Sequence, residues 1–177
     1  MPQFRNIKVV QLFQGLSLFL LILVGIQWQS CTSNPGFGDV PEIEFLSFSK
    51  DTMEQNSLNT DSVFLKITFT DGDGNLGTGA SNVTENIVIT DNRNGDVFDR
   101  FKVPDIEDVG AQNGIEGTIT LKLFTTCCTF PAQDSIPPCF SPIQYPTNEI
   151  TFDIYMVDDD GNQSNTVTTS SLTLLCN

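Results

Sequence analysis

The sequence predicts an all-β fold, a single antiparallel β-sandwich of about seven strands. Beyond residue 41, apolar and polar residues alternate with a period of two, which is the spacing of half-buried strands. No apolar stripe with helical spacing reaches the length of a helix, and turns rich in Gly, Pro, Asn or Asp separate the alternating runs. Each run has one face to bury, and two sheets packed face to face bury them all.

The bounds of the alternating runs give the predicted strands: Glu42–Ser49, Ser62–Thr70, Asn86–Thr90, Val97–Val103, Gly117–Phe124, Glu149–Val157 and Thr166–Cys176. In the second run, the face predicted to be buried carries Val63, Leu65, Ile67 and Phe69. In the sixth run, the matching set is Ile150, Phe152, Ile154 and Met156. Between the third and fourth runs lies Asn94-Gly95, which predicts a hairpin with a type I′ turn, because both central residues of that turn need φ > 0.

Residues 1–30 are predicted to be a signal peptide that is not part of the fold. A basic region precedes the apolar core Leu16–Ile26, which is shorter than the roughly 20 residues of a spanning helix. Ser30 before Cys31 resembles the cleavage site of bacterial lipoproteins, although Trp28 stands where an aliphatic residue is usual. We therefore expect Cys31 to be lipidated and residues 31–41 to form a flexible tether to the membrane. An ordinary cleaved signal and an uncleaved anchor are the alternatives.

The charge of the chain restricts its function. Loss of the signal peptide removes Arg5 and Lys8 but no acid, so the net charge of −14 becomes −16 over the remaining 147 residues. Such a domain repels nucleic acid and attracts divalent cations. The sequence has no histidine, which removes the commonest general base, and no phosphate-binding loop or serine-nucleophile motif. We expect neither an enzyme nor a nucleic-acid-binding protein.

Three segments resemble bacterial immunoglobulin-like or fibronectin-III-like domains. They are "PEIEFLSFS", "ITFTDGDGNLG" and "IYMVDDDGNQSNTVT", and the likeness covers roughly residues 41–177. The chain is also similar to small lipoproteins of the Bacteroidota, in which such a domain follows a lipidated cysteine. The resemblance implies an immunoglobulin-like β-sandwich over residues 42–177, carried on the outer membrane and facing the periplasm or the cell surface. The core tryptophan and the cysteine pair of immunoglobulins are absent.

Two acidic loops, which share the pattern Asp-x-Asp-Gly-Asn, are candidate metal ligands. Their candidate residues are Asp71, Asp73 and Asn75 in the first loop and Asp158, Asp160 and Asn162 in the second. Alternate oxygen-bearing residues in a tight loop suit a hard cation such as Ca²⁺. Neither loop is an EF-hand, because Leu76 and Gln163 replace its glycine. The alternative is that both loops are simple turns.

The predicted topology bears on the choice between a cation site and simple turns. In immunoglobulin strand order the two loops emerge at the same pole, where the first strand begins with Asp39 and Glu42 nearby. Converging carboxylates repel one another by about 1–4 kcal/mol per close pair unless a cation neutralises them. We therefore expect at least one Ca²⁺ at this pole. Cadherin-like domains are similar in placing calcium at the linker end of a sandwich.

The remaining cysteines predict a disulfide-linked insert, residues 125–147, at the opposite pole. An exported chain meets an oxidising compartment, and four cysteines allow three pairings: the candidates are Cys127, Cys128, Cys139 and Cys176. We expect Cys176 to bond to one of the adjacent pair and Cys139 to the other. A bridge between neighbours 127 and 128, with 139–176, is the alternative.

The same insert is rich in aromatic residues and proline. As candidates for a partner surface it offers Phe130, Phe140 and Tyr145, which alternatively close the end of the core. We therefore expect a non-enzymatic cell-envelope lipoprotein that acts as a binding or structural module for a protein or glycan. A carbohydrate-binding accessory lipoprotein of a polysaccharide uptake or adhesion system is the alternative.

Overall fold

The computed structural model describes residues 36–77, 85–104 and 114–177, which belong to one compact unit. The predicted signal peptide and the lipidation site Cys31 lie outside the described residues. Among the residues that are described, no helix is long and apolar enough to cross a membrane.

Ten strands and one short 3-10 turn, Ala132–Asp134, make up the described fold. The strands are β1 (Glu42–Phe48), β2 (Thr52–Glu54), β3 (Ser62–Asp71), β4 (Ile87–Asp91), β5 (Asp96–Phe101), β6 (Ile115–Phe124), β7 (Thr147–Ile150), β8 (Phe152–Met156), β9 (Val167–Thr168) and β10 (Leu172–Leu175).

The strands form three sheets, in the orders β1-β3-β6, β5-β4-β8-β9 and β2-β10-β7. All pairs are antiparallel except β2 and β10, which run parallel. The longest ladder joins β3 to β6 and pairs Ser62 with Phe124 at one end and Asp71 with Ile115 at the other. The all-β class and the predominantly antiparallel pairing are therefore confirmed.

The predicted number of strands differs from the observed one because two long runs each divide. Residues 149–157 split at Thr151: β7 pairs with β10 before this residue, and β8 pairs with β4 and β9 after it. Residues 166–176 split at Thr169, whose Oγ1 accepts the Phe152 N–H at 3.0 Å in place of a main-chain oxygen. The strand β2 was missed because three residues are too few to show an alternating pattern.

The core contains the faces that the alternation predicted. The inward set of β3 and the inward set of β7 and β8 are all buried, at 6% exposure or less. The Phe152 ring lies near the centre, with ring centroids 4.8 Å from Phe98 and 6.4 Å from Phe48. Burying a large apolar side chain of this kind contributes about 1.5–3 kcal/mol, so the packed faces of these strands hold the sheets together.

The β4–β5 hairpin is present, but the predicted type I′ turn is wrong. Four residues, Asn92 to Gly95, connect the strands, and of these only Gly95 has positive φ (78°). The Gly95 N–H donates to the Asp91 carbonyl at 2.8 Å and closes the longer loop. Side chains from outside the turn also hold it, because Asn92 Nδ2 donates to Thr151 Oγ1 and Asp153 Oδ1.

Candidate functional site

The two acidic loops meet at one end of the domain. Asn75, in the loop after β3, donates from Nδ2 to Asp73 Oδ2 and to Asp160 Oδ2, both at 3.0 Å. Asp160 belongs to the loop after β8, so a single amide group joins the two loops. Immunoglobulin strand order predicts both loops at the same pole, and this contact agrees with that prediction.

The first loop buries carboxylate oxygens without pairing them. Asp71 is fully buried, and its Oδ2 accepts the Leu76 N–H at 3.1 Å. Its Oδ1 and the buried Oδ1 of Asp73 receive a hydrogen bond from no donor in the described part of the chain. Burial, followed by the charges of Asp73 and Asp158, raises the pKa of Asp71 to about 6. Uncompensated buried carboxylate oxygens are costly, and native structures usually provide a proton or a cation for them.

The second loop, by contrast, satisfies itself. Asp158 Oδ1 accepts the N–H groups of Asp160 and Asn162 at 3.0 and 2.7 Å, and Asp158 Oδ2 accepts Asn162 Nδ2 at 2.8 Å. The Asp158 N–H donates to the Asn162 carbonyl at 3.1 Å. This is the local side-chain-to-backbone bonding that makes Asp and Asn common in turns. The shared sequence pattern therefore has two different environments: among the described residues, only the first loop buries carboxylate oxygens that receive no hydrogen bond.

The N-terminal segment, residues 36–38, lies against the first loop. The Gly72 N–H donates to the Gly38 carbonyl at 2.8 Å. A Cβ at position 72 would lie 2.4 Å from the Phe37 carbonyl oxygen and 2.6 Å from that of Gly38. Only glycine therefore permits this approach. Leu76, fully buried in the same loop, anchors it to the core.

The other acidic residues expected at this pole stay at the surface. Asp39 and Glu42 are both exposed. Within the three described ranges, no three Cys, Asp or Glu side chains are already gathered as a metal-holding group. The cation ligands predicted from the sequence thus lie at one pole, with two of them, Asp71 and Asp73, sharing a buried site.

Both disulfides lie at the opposite pole. Cys127 bonds to Cys139 and Cys128 to Cys176, with Cα atoms 4.6 and 5.9 Å apart. Cys176 therefore pairs with one of the adjacent cysteines as expected, and the alternative bridge between neighbours does not form. The β2–β3 connection positions Cys128, because Gln55 Oε1 accepts the Cys128 N–H at 3.0 Å and Gln55 Nε2 donates to the Phe140 carbonyl at 2.9 Å.

The three aromatic candidates of the insert have different environments. Phe130 packs against the core, and its ring centroid lies 5.8 Å from that of Tyr145. Tyr145 donates its hydroxyl to Asp134 Oδ2 at 2.6 Å, and this hydrogen bond raises the pKa of Tyr145. Phe140 is 55% exposed, and the neighbouring Ile143, which the sequence analysis did not select, is 97% exposed.

Sequence reasoning also missed a buried ion pair beside the disulfides. Arg93 Nη2 contacts Asp91 Oδ2 at 2.6 Å, and Arg93 Nη1 donates to the Cys127 carbonyl and to Asn148 Oδ1. Asn148 in turn donates to the Thr129 carbonyl at 3.0 Å. These bonds tie the β4–β5 hairpin to the insert. In the sequence, the signal for this ion pair was the short spacing of Asp91 and Arg93 in the turn.

A cleft of about 450 Å³ lies between the edge strands β5 and β6 and the loop that contains Asn59. Its lining combines carboxylates, amides and hydroxyls with the rings of Phe98 and Phe124. At the edge of the cleft, Lys122 Nζ lies 4.6 Å from the Phe124 ring centroid in a cation–π contact. Asn59 has φ of 56°, an uncommon conformation for a residue other than glycine.

Comparison of the chain with protein-family models, with curated proteins and with solved structures gave no match.

Proposed function

We propose that the domain is an immunoglobulin-like β-sandwich. The sheet β1-β3-β6 would correspond to strands A, B and E of that fold. The other two sheets would form one face, with β5 and β4 as C′ and C, β7 and β8 as the halves of F, and β9 and β10 as the halves of G. The parallel pairing of β2 with β10 suits a short additional strand beside G. The division of F and G, together with the additional strand β2, would account for ten strands where seven are expected.

The domain, in this proposal, is carried by a cell-envelope lipoprotein that acts without catalysis as a binding or structural module. It would resemble the small surface lipoproteins of the Bacteroidota, anchored in the outer membrane through lipid on Cys31. The observation that carries the proposal is the difference between the two poles. The described chain begins at the acidic pole with residues 36–41, whereas two disulfides brace a loop with exposed apolar side chains at the other. A membrane tether at one end leaves the other free to meet a partner.

The partner surface would lie on the disulfide-linked pole. Phe140 and Ile143 are 55% and 97% exposed in a loop that two disulfides restrain, and Leu58 in the β2–β3 connection is 78% exposed. Gln55, three residues before Leu58, binds the Phe140 carbonyl and brings the two loops together. Exposed apolar side chains on a pre-ordered loop favour binding, because little conformational entropy is lost.

In-cell photo-crosslinking tests the partner surface. A photoreactive residue at position 140 or 143 of the full-length chain is expected to give discrete crosslinked species. The matched control is position 46, because Leu46 on β1 is 56% exposed and lies away from the insert. Equal or absent crosslinking at all three positions contradicts the proposal.

Metabolic labelling tests the lipid anchor. The full-length chain is expected to take up radiolabelled palmitate and to fractionate with membranes, and a Cys31→Ser variant is expected to lose both properties. Uptake by the variant would rule out this anchor.

Calcium would stiffen the tether pole. The support for it is the pair of buried carboxylate oxygens on Asp71 and Asp73, together with a net charge that attracts divalent cations.

The cleft between β5 and β6 favours a second candidate, the carbohydrate-binding accessory lipoprotein. Hydroxyl and amide groups beside the Phe98 and Phe124 rings would suit a neutral sugar, which offers both hydroxyl edges and apolar faces. Asp96 and Asp99 in the lining would repel an acidic one. A glycan array probed with the full-length chain and with Phe124→Ala tests this candidate. Binding that the substitution does not weaken would place the glycan elsewhere.

A further inference from the structure

We propose that the loop Asp71–Gly77 is a Ca²⁺ site in which Asp71, Asp73 and Asp160 supply carboxylate oxygens, and that the bound cation locks residues 36–38 onto the domain. This inference rests on the calcium stabilisation proposed above and adds the ligand set and its mechanical consequence. The second loop would act mainly as a support, not as an equal partner.

The first argument is the burial of unpaired carboxylate oxygens in one loop. Oδ1 of Asp71 and Oδ1 of Asp73 are both buried and have no donor among the described residues. Asp71 is fully buried, so water does not solvate its charge. Buried carboxylate oxygens without donors need a proton or a cation to compensate them. In a domain without histidine that carries 22 acids, a divalent cation provides more compensation than one proton.

The second argument is the position of the Asn75 amide. Its Nδ2 lies 3.0 Å from an oxygen of Asp73 and 3.0 Å from an oxygen of Asp160. The two oxygens are therefore at most about 6 Å apart, an upper limit within which the ~5 Å between ligands on opposite sides of a Ca²⁺ ion falls. The Asn75 amide nitrogen, which carries a partial positive charge, therefore lies between carboxylate oxygens of the two loops. A cation at this position would bind oxygens from both loops. Rotation of the Asn75 amide would turn its oxygen, in place of its nitrogen, toward the cation.

The third argument links the site to the N-terminal segment. Gly72 lies between Asp71 and Asp73, and its N–H donates to the Gly38 carbonyl. Its Cα hydrogens face the carbonyl oxygens of Phe37 and Gly38. A cation that fixes the carboxylates on either side of Gly72 fixes its peptide orientation as well. The hydrogen bond to residue 38 then persists for longer.

Calorimetric titration of the full-length chain tests the site. After dialysis against chelator, CaCl₂ at pH 7.5 is expected to bind with one ion per chain and to raise the melting temperature by several degrees. Asp71→Asn and Asp73→Asn are each expected to weaken binding by roughly tenfold or more, because ligand charge sets the affinity of calcium loops. Asp160→Asn is expected to weaken it as well.

The matched control is Asp96→Asn, which removes the same charge from an exposed position in the β4–β5 hairpin at the other pole. Its affinity is expected to equal that of the wild type. Equal weakening by this control would mean that calcium responds to net charge alone and would overturn the site. Unchanged binding in both Asp71→Asn and Asp73→Asn would also overturn it.

Amide hydrogen exchange tests the coupling separately. Saturating calcium is expected to slow exchange at Gly72 and to leave the Cys128 amide, at the far pole, unchanged. Gly72→Ala, which keeps every carboxylate, is expected to lower calcium affinity. Gly38→Ala, whose Cβ would make only an ordinary contact with the Val40 carbonyl oxygen at 3.9 Å, is expected to leave it unchanged. Calcium binding without slower exchange at Gly72 would refute the coupling but keep the site. Absence of binding up to millimolar calcium would refute the site and leave the crosslinking test of function unaffected.

Discussion

Asp71→Asn is the substitution that most directly tests the reasoning about the acidic pole. In the absence of calcium, the folded protein holds the Asp71 proton more tightly than the unfolded chain does, because its pKa is raised from 3.8 to about 6. A shift of this size corresponds to about 3 kcal/mol in favour of the neutral carboxyl. The folded state therefore loses stability as the pH rises between about 4 and 6, and the loss remains in full above that window.

Asparagine keeps the size of the side chain and an oxygen for the Leu76 N–H but carries no charge. The variant should therefore be more stable than the wild type at neutral pH in chelator. The pH-dependent part of the difference is expected to be about 1 kcal/mol at pH 4.5 and about 3 kcal/mol at pH 8.

Urea unfolding of both full-length proteins in chelator at pH 4.5, 5.5, 6.5 and 8 gives this difference from the midpoints. A difference that stays constant over the series, or that favours the wild type more at high pH, refutes the assignment of a buried, uncompensated charge to Asp71. Saturating calcium at pH 8 is expected to narrow this difference, because the cation binds the wild type more tightly than the variant and therefore stabilises it more.

Three further predictions concern stability, and urea unfolding measures each. Removing the Cys128–Cys176 bridge with paired alanines should cost about 4 kcal/mol and removing Cys127–Cys139 about 3 kcal/mol, because the closed loops have sequence separations of 48 and 12; the reverse order would contradict the loop-entropy argument. Gly72→Ala should cost about 1–3 kcal/mol through its clash with the Phe37 carbonyl, while Gly38→Ala stays near zero; similar values for the two would show that residues 36–38 move aside freely. Arg93→Met should cost about 3–5 kcal/mol because it leaves Asp91 buried without its partner, whereas Arg100→Met at an exposed position should cost less than about 1 kcal/mol. An Arg93→Met value as small as the control would show that Asp91 is readily solvated.

The contrast between the two acidic loops shows how far a motif determines its own chemistry. Both carry Asp-x-Asp-Gly-Asn after a strand. In the second loop, Asp158 is satisfied by N–H groups of its own loop. In the first loop, residues 36–38 and the core cover the chain. Burial therefore removes carboxylate oxygens from water without giving each of them a hydrogen-bond donor. The different burial, and not the motif, leaves the first loop with carboxylate oxygens that no donor among the described residues satisfies.

Local pattern accounts for the parts of the fold that were predicted correctly. The alternation in residues 62–70 and 149–157 identified the buried face of each strand, because side chains of a strand point alternately to its two sides. The alternation gave no information about which strands pair with each other or in which register. The division at Thr151 arises because β7 and β8 pair with different neighbours, although the alternation runs through it unbroken.

The sequence by itself determined the all-β class, the buried faces, the position of the cysteine-rich insert and the acidity of the chain, since these follow from local periodicity, composition and spacing. Only the tertiary structure decided which cysteine meets which, because the pairing depends on where segments 48 residues apart in sequence come to lie. It also decided which acidic loop is buried, because the covering segment, residues 36–38, comes from another part of the chain. Contacts between distant residues set both outcomes, and no local pattern in the sequence encodes them.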